Sequence, residues 1–156
     1  MIRLAVALGA SVAFALGAAA CGGGDDAPSK SEFTKKIDQI CNDTQKRLTD
    51  VGKGATTADE IASAVDKVID ESQRSVDRLK ELDLPSGDAH DTAERFVKAT
   101  TSEVEDKGIP ALEKLRDALE KNDKAAARTA AVELQSIQST NADKYARQLG
   151  ATACLG

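Results

Sequence analysis

Hydrophobic residues recur at three- and four-residue intervals from position 33 to position 149, and polar or charged residues fill the positions between them. This spacing places the hydrophobic side chains on one face of an α-helix. Alternation of Val, Ile and Thr with polar residues, which is typical of a half-buried strand, is almost absent. Ala, Glu, Lys and Leu, which favour helices, are abundant. The pattern therefore predicts an all-α fold with four amphipathic helices.

Two of the four helices have a clear start signal. Residues 29–32 and residues 57–60 both have the order Ser or Thr, two further residues, then Glu. In this capping box the hydroxyl and the carboxylate each accept a hydrogen bond from a backbone amide of the first turn. Gly52 and Gly54 are predicted to end the first helix, and Pro85 the second, because a proline disfavours helical backbone at the preceding residue. The predicted hydrophobic faces are Phe33, Ile37, Ile40, Cys41, Leu48 and Val51 in the first helix and Ile61, Val65, Val68, Ser72, Val76, Leu79 and Leu82 in the second.

The third and fourth helices are less clearly delimited. The third is predicted to begin at Ser86 or Asp88, either of which could cap it through its side chain. It continues as one kinked helix through residues 108–110, Gly-Ile-Pro, because the hydrophobic positions before and after that break keep one phase. The fourth helix is predicted from about residue 123 to residue 149, and Gly150 suits the position that follows its end.

The first twenty residues have a different pattern. They carry one positive charge, at Arg3, and then an uninterrupted run of Leu, Val, Ala, Phe, Ser and Gly without any charge. This is the pattern of a secretory signal peptide. The run is shorter and less hydrophobic than the ~20 residues that a membrane-spanning helix needs. Residues 1–20 are therefore predicted to be a signal peptide that is removed on export.

Three alanines at positions 18–20 precede Cys21. This ending resembles the lipobox of bacterial lipoproteins, in which the cysteine receives a diacylglyceryl group and becomes the first residue. The resemblance implies that Cys21 is lipidated, carries fatty acyl chains such as palmitate, and anchors the protein at the extracytoplasmic face of the cell membrane. Ala18 stands where the lipobox prefers Leu, so ordinary cleavage after an Ala-x-Ala sequence, which would yield a secreted protein, is the alternative. Residues 21–28 then form the lipidated cysteine and a flexible tether, and residues 29–156 form the helical domain.

Two cysteines remain in the predicted helical domain. An even number of cysteines in an exported domain predicts a disulfide, here between Cys41 and Cys154. Two free thiols are the alternative. Short connections between four helices favour antiparallel neighbours, and the predicted fold is therefore an antiparallel up-down-up-down four-helix bundle with one disulfide. In that topology the end of the fourth helix lies beside the start of the first, and residues 151–153 can bring Cys154 to Cys41.

Four features occur in a characteristic order along the predicted domain. They are Cys41 within residues 37–42, the Leu-Pro break at residues 84–85, the hairpin at residues 119–123, and the ending from Tyr145 to Cys154. In this order the chain resembles the small helical lipoproteins of actinobacteria. The resemblance covers most of the domain and implies the same lipid-anchored helical architecture. That family brings no assigned activity that could be carried over to particular residues.

The composition restricts the range of ligands. The formal net charge is −5, and Arg3 is lost with the signal peptide, so the domain is more acidic still. Nucleic acids bind clustered Lys and Arg residues, whereas here the basic residues alternate with acids along the chain. The predicted domain contains only Phe33, Phe96 and Tyr145 as aromatic residues, and sugar and base sites usually use aromatic faces. We therefore expect no nucleic acid partner.

Candidate catalytic and metal-binding residues are few. His90 is the only histidine, and Ser86, Asp88 and Asp91 lie within four positions of it. A hydrolytic site needs such groups to converge from a scaffold, with an oxyanion hole beside them. Packed into one turn, these residues are more typical of a helix start. One histidine and two paired cysteines also fall short of zinc, haem or di-iron ligand sets. We expect no enzyme activity, no cofactor and no metal.

Two hypotheses about function follow. The first is a membrane-anchored, non-enzymatic envelope interaction module that presents helix faces to another envelope protein. The alternative is a binder of a small apolar ligand or lipid in a gap between helices near residues 108–110. Ser72, Thr100 and Asn141 interrupt the hydrophobic faces, and they are predicted either to line a cavity or to form a buried hydrogen-bond network.

Overall fold

The computed structural model of the 156-residue chain describes residues 27–137 and 140–155. All regular secondary structure within these ranges is helical, which confirms the all-α prediction. The α-helices are α1 (Lys30–Leu48), α2 (Ala58–Lys80), α3 (His90–Glu103), α4 (Ile109–Glu120), α5 (Lys124–Ser136) and α6 (Thr140–Leu149). The predicted signal peptide, Cys21 and residues 22–26 of the predicted tether lie outside the described residues.

Both predicted capping boxes are present. At the start of α1, the Ser29 hydroxyl accepts a hydrogen bond from the Glu32 amide, and the Glu32 carboxylate accepts one from the Ser29 amide at 2.8 Å. At the start of α2, the Glu60 carboxylate accepts hydrogen bonds from two backbone amides, those of Thr56 at 2.8 Å and Thr57 at 3.0 Å. These two amides stabilise the ionised carboxylate and lower the pKa of Glu60 to about 2.

This lowered pKa predicts an acid-sensitive contribution to stability. Because the pKa of Glu60 is lower in the folded protein than its ordinary value of 4.5, the contribution is complete above pH 4.5 and is lost as the pH falls towards 2. Glu60→Gln keeps an acceptor oxygen but cannot titrate. We expect urea unfolding midpoints measured between pH 4.5 and pH 2 to fall less steeply for this variant than for the wild type.

Glu113→Gln is the matched control for this measurement. Glu113 is exposed on α4, and among the described residues its side chain forms no hydrogen bond or ion pair. We expect its pH profile to follow that of the wild type. Equal slopes for the wild type and Glu60→Gln would show that the cap does not make the predicted contribution.

The third helical unit is continuous, as predicted. After a 3₁₀ turn at Gly87–Ala89, α3 leads into a π-helical segment, Val104–Gly108, which leads directly into α4. Pro110 falls in the first turn of α4, directly after the π-helical segment. The predicted side-chain cap of this unit is wrong, because neither Ser86 nor Asp88 caps the helix start through its side chain.

The prediction of one uninterrupted fourth helix is also wrong. Helix α5 ends at Ser136, and Ile137 has extended backbone angles (φ −72°, ψ 115°). Helix α6 then begins at Thr140. Ser, Thr and Asn are frequent between positions 136 and 141, and such side chains compete with the helical hydrogen bonds of the backbone. The Ser136 hydroxyl does so directly, since it donates to the Glu133 carbonyl oxygen at 2.6 Å.

The helices pack into one domain with two clusters of buried hydrophobic residues. Helix α2 packs against α1, α3 and α4, whereas α4 also contacts α5, and α3 contacts α6. One cluster lies among α1, α2, α3, α6 and the C-terminal tail, and it contains Phe33, Ile37, Ile40, Leu79, Ala93, Phe96, Ala146, Leu149 and Ala151. The other lies between α2 and α4 around Val65, Ile69 and Ile109. The up-down-up-down order of helix directions stays a prediction.

The C-terminal tail joins the two ends of the domain. Gly150 ends α6 with a positive φ of 84°, as its sequence position predicts. The tail then reaches Cys154, which forms the predicted disulfide with Cys41 (Sγ–Sγ 2.00 Å). Three hydrogen bonds support this course: Lys30 Nζ to the Gln148 carbonyl oxygen, Thr34 Oγ1 to the Leu149 carbonyl oxygen, and the Ala153 amide to Asp38 Oδ1. The partners advance together along both segments, so the tail runs along α1 in the same direction.

None of the helices in the described part of the chain combines the length and the hydrophobicity that crossing a membrane requires.

Candidate functional site

A groove lies between α3 and α6, beside the π-helical segment, with a volume of about 570 Å³. Its size is in the range of small-molecule sites. Helix α3 and the π-helical segment supply Arg95, Lys98, Ala99, Ser102, Glu103 and Lys107, whereas α6 supplies Asn141 and Tyr145. Most of these side chains are charged or polar. The lining therefore differs from the apolar one that the lipid-binding hypothesis expects at this position.

The charge of the groove is opposite to that of the whole chain. Arg95, Lys98 and Lys107 are exposed, and none of them forms an ion pair within the described ranges. A further ammonium group is close by, because Lys144 Nζ lies 5.6 Å from the centroid of the Tyr145 ring. The groove thus gathers positive charge on a protein whose formal net charge is −5.

The two acidic residues of the π-helical segment both have hydrogen-bond partners. The Glu105 carboxylate accepts a hydrogen bond from Lys80 of α2 at 2.6 Å. The Asp106 carboxylate accepts a hydrogen bond from the Ser102 hydroxyl at the edge of the groove. Glu103 is consequently the carboxylate that lines the groove itself. Three cations and one carboxylate therefore line the groove, and the Asp106 carboxylate lies at its edge.

The π-helical segment affects which charged side chains line the groove. Each residue of an α-helix turns the chain by about 100°, so a regular α-helix would place Asp106 near the middle of the face formed by Arg95, Ala99 and Ser102. A π-helical turn contains an additional residue and shifts the register. Lys107 lines the groove in this structure, and Asp106 lies at its edge, where its carboxylate accepts a hydrogen bond from Ser102. The segment therefore brings a basic side chain into the groove beside the acidic one.

The polar residues of the predicted hydrophobic faces have different positions. Asn141 is exposed and lines the groove. Thr100 Oγ1 is buried without a hydrogen-bond partner among the described residues. Ser72 is half-buried on α2 and does not line the groove. The structure thus places only one of the three beside this cavity and does not connect them in a hydrogen-bond network.

His90 does not form a hydrolytic constellation with Ser86. Its Nδ1 atom lies 3.2 Å from the Pro85 carbonyl oxygen. The structure does bring His90, Asp91 and Glu94 together, with potential ligand atoms within 4.8 Å of one another. All three are exposed side chains at the start of α3, where acidic residues also interact favourably with the helix dipole. We assign no metal site to them.

Glu71 is a buried carboxylate that the sequence pattern does not reveal. It is 5% exposed, and its oxygens lie 3.4 Å from Arg47 Nη1 and 3.5 Å from Arg74 Nη1. A buried carboxylate with two guanidinium partners is a structural ion pair, since its charge is already balanced. Glu71 connects α1 with α2 and lies apart from the groove.

The three groove cations are functional candidates that the sequence analysis does not identify. Arg95 and Lys98 are three positions apart, a spacing that places both on one helix face. Lys107 lines the same groove because of the register of the π-helical segment, and α6, which is distant in sequence, forms the opposite wall. Only the first of these signals is visible in the sequence.

No protein-family model, curated protein or solved structure significantly matches this chain. The residues themselves therefore carry any functional argument.

Proposed function

We propose that the protein is an exported, lipid-anchored and non-enzymatic module of the bacterial cell envelope. The observation that carries the proposal is the disulfide between Cys41 and Cys154, because such bonds persist in oxidising compartments and are rare in the cytosol. The leader that ends at Cys21 agrees with this location. Cys21 is the lipidated residue of the proposal, and the domain stands on the extracytoplasmic face of the membrane.

The proposed anchor would hold the domain close to the lipid surface. Each buried CH₂ group contributes ~0.8 kcal/mol, and two acyl chains on one cysteine bind a membrane durably. The eight residues from 22 to 29 reach about 28 Å at most when fully extended. Helix α1 begins at the tether, and the end of α6 is joined to it through Lys30 and Gln148. The tether consequently keeps this end of the domain within that distance of the lipid surface.

The exposed side chains of the described residues suit a polar partner better than an apolar one. Among the described residues, the large hydrophobic side chains that are exposed are Ile61 at 39% and Val132 at 59%. Scattered single side chains of this kind do not form an apolar docking surface. The helix faces offer ion pairs and hydrogen bonds instead, and a partner in the envelope would recognise charge and shape.

Cys21→Ala tests the anchor. We expect the wild type to remain in the membrane fraction and to have the mass of residues 21–156 plus acyl groups by intact mass spectrometry. The variant cannot be acylated, so it should appear either as a released, shortened chain or as an unprocessed precursor. Gly22→Ala is the control, because it changes the neighbouring residue and leaves the sulfur in place.

A wild-type mass without acyl groups would overturn the anchor and support the secreted alternative. The same strains test the interaction module. Crosslinking in intact cells should join the wild type to a defined envelope protein. The yield should fall for the released form of Cys21→Ala, because that form leaves the membrane surface. Crosslinked products no more abundant than those of a lipoprotein of unrelated sequence would contradict this role.

The groove favours a second candidate function, binding of a small ligand. It lies beside residues 108–110, the position proposed for a ligand-binding gap. Its charged and polar lining supports a polar ligand in place of an apolar one. Ligand binding and membrane anchoring are compatible, since the anchor precedes α1 and the groove is formed by α3 and α6.

A further inference from the structure

We propose that the groove between α3 and α6 is a binding site for a phosphate group. This inference rests on the second candidate function, binding of a polar ligand in the groove, and names the class of that ligand. It is independent of the anchor and of the interaction role, and Arg95, Lys98 and Lys107 are its main support. The three cations line one groove and have no carboxylate partner among the described residues.

The charge balance of the groove favours an anion. Arg95, Lys98 and Lys107 supply three positive charges, and Glu103 supplies one negative charge. Asp106, whose carboxylate is hydrogen-bonded to Ser102 at the edge of the groove, adds a second negative charge. The local excess is therefore about one positive charge, which a negatively charged phosphate group compensates. Arginine and lysine are also the side chains that proteins use most readily for phosphate oxygens.

The remaining polar groups of the groove can complete the recognition. The Asn141 amide and the Tyr145 hydroxyl come from α6, so a ligand between the two helices could accept hydrogen bonds from both walls. Asn141 is exposed on a face where the helical pattern predicts an inward residue. Ligand binding by Asn141 would explain why a polar residue occupies this position.

The π-helical segment is a further feature that points to a functional site, because it places Lys107 in the groove. Such segments cost regular hydrogen bonding and are frequent at functional sites. Here the segment brings Lys107 into the groove and leaves Asp106 at its edge. Glu105 pairs with Lys80 of α2. Asp106 keeps its negative charge beside the groove, because its partner is the neutral Ser102 hydroxyl.

The experiment uses the full chain, purified with its disulfide intact from membranes in a neutral detergent. The soluble probes are inorganic phosphate and glycerol 3-phosphate. Calorimetry measures the binding of each probe to the protein. A second arm measures flotation with vesicles of phosphatidic acid and phosphatidylcholine in equal amounts against vesicles of phosphatidylcholine alone. An acyl anchor inserts into both vesicles, so the difference between them reports the headgroup.

Two variants change residues of the groove, and a third is a control that changes exposed basic residues outside it. The groove variant is Arg95→Gln with Lys98→Gln and Lys107→Gln. The control is Lys35→Gln with Lys46→Gln and Arg128→Gln, which removes the same number of exposed Arg and Lys residues from α1 and α5. The exchange variant is Asp106→Lys with Lys107→Asp, which leaves composition and net charge unchanged.

We expect the groove variant and the exchange variant to bind at least about tenfold more weakly than the wild type. The control should stay within about twofold of the wild-type affinity, because bound phosphate contacts local charges more strongly than distant ones. Circular dichroism verifies that each variant is folded, and the exchange variant still tests the site if the triple variant is unstable.

Either source of the phosphate supports the proposal. Saturable binding of glycerol 3-phosphate identifies a soluble ester, whereas a preference for phosphatidic acid vesicles without binding of the soluble probes identifies a lipid headgroup. No binding of either soluble probe, together with equal flotation in the two kinds of vesicle, would overturn the site. A control variant that weakens binding as much as the groove variant would overturn it as well, because the effect would then be one of net charge.

Discussion

Removal of the disulfide is expected to lower the free energy of unfolding by about 3–5 kcal/mol. The bond joins residues that are 113 positions apart, and a covalent loop of that length strongly restricts the unfolded chain. In the chain-entropy treatment, a loop of roughly 100 residues corresponds to about 4.7 kcal/mol. Cys41→Ala with Cys154→Ala should therefore shift the urea midpoint far below that of the wild type.

The reductant provides the matched control for this prediction. Dithiothreitol should destabilise the wild type by a similar amount and should leave the double variant unchanged. The tail retains its hydrogen bond from the Ala153 amide to Asp38, so we expect a folded but weaker domain. Urea midpoints that agree between the wild type and the double variant would contradict the prediction, as would two reactive thiols in the denatured, unreduced protein.

Phe96→Ala is expected to cost about 3–5 kcal/mol of stability. Phe96 is 1% exposed and lies in the cluster to which α1, α2, α3, α6 and the tail all contribute. Removal of the ring leaves a cavity at the place where these five segments meet, and the surrounding side chains can fill it only in part. Urea unfolding followed by circular dichroism measures the loss.

Two further variants keep this prediction testable if Phe96→Ala does not fold. Phe96→Leu retains most of the buried surface and should show a smaller loss in the same direction. Val132→Ala removes a side chain that is 59% exposed on α5, and it should change stability by about 0.5 kcal/mol or less. A loss at Phe96 no greater than that at Val132 would show that the cluster is not the main core.

The sequence predicts those parts of the fold that short-range chemistry determines. The capping boxes at Ser29 and Thr57 need only four residues each, and both are confirmed. Gly150 is recognisable because a left-handed backbone favours glycine. Once Cys21 is assigned to the lipobox, the two cysteines that remain allow a single connectivity, and the disulfide between Cys41 and Cys154 is confirmed.

The remaining features depend on register and tertiary contact. Hydrophobic spacing continues past Ile137, so the pattern conceals the break there, and only the poor helix formers around it could have indicated one. The π-helical segment moves Lys107 by a fraction of a turn, which no hydrophobic pattern reports. The groove needs α3 and α6 side by side, and its basic residues alternate with acids when they are read along the chain.

The ring closed by Cys41 and Cys154 also bears on how the protein survives proteases. A single cut anywhere between residues 42 and 153, including the exposed connection around Gly54, produces two fragments that remain joined through sulfur. Every helix then stays on one molecule, and the packed core can hold the severed ends in place. A protease has to cut the ring twice, or a reductant has to open it first, before any segment within the ring is released.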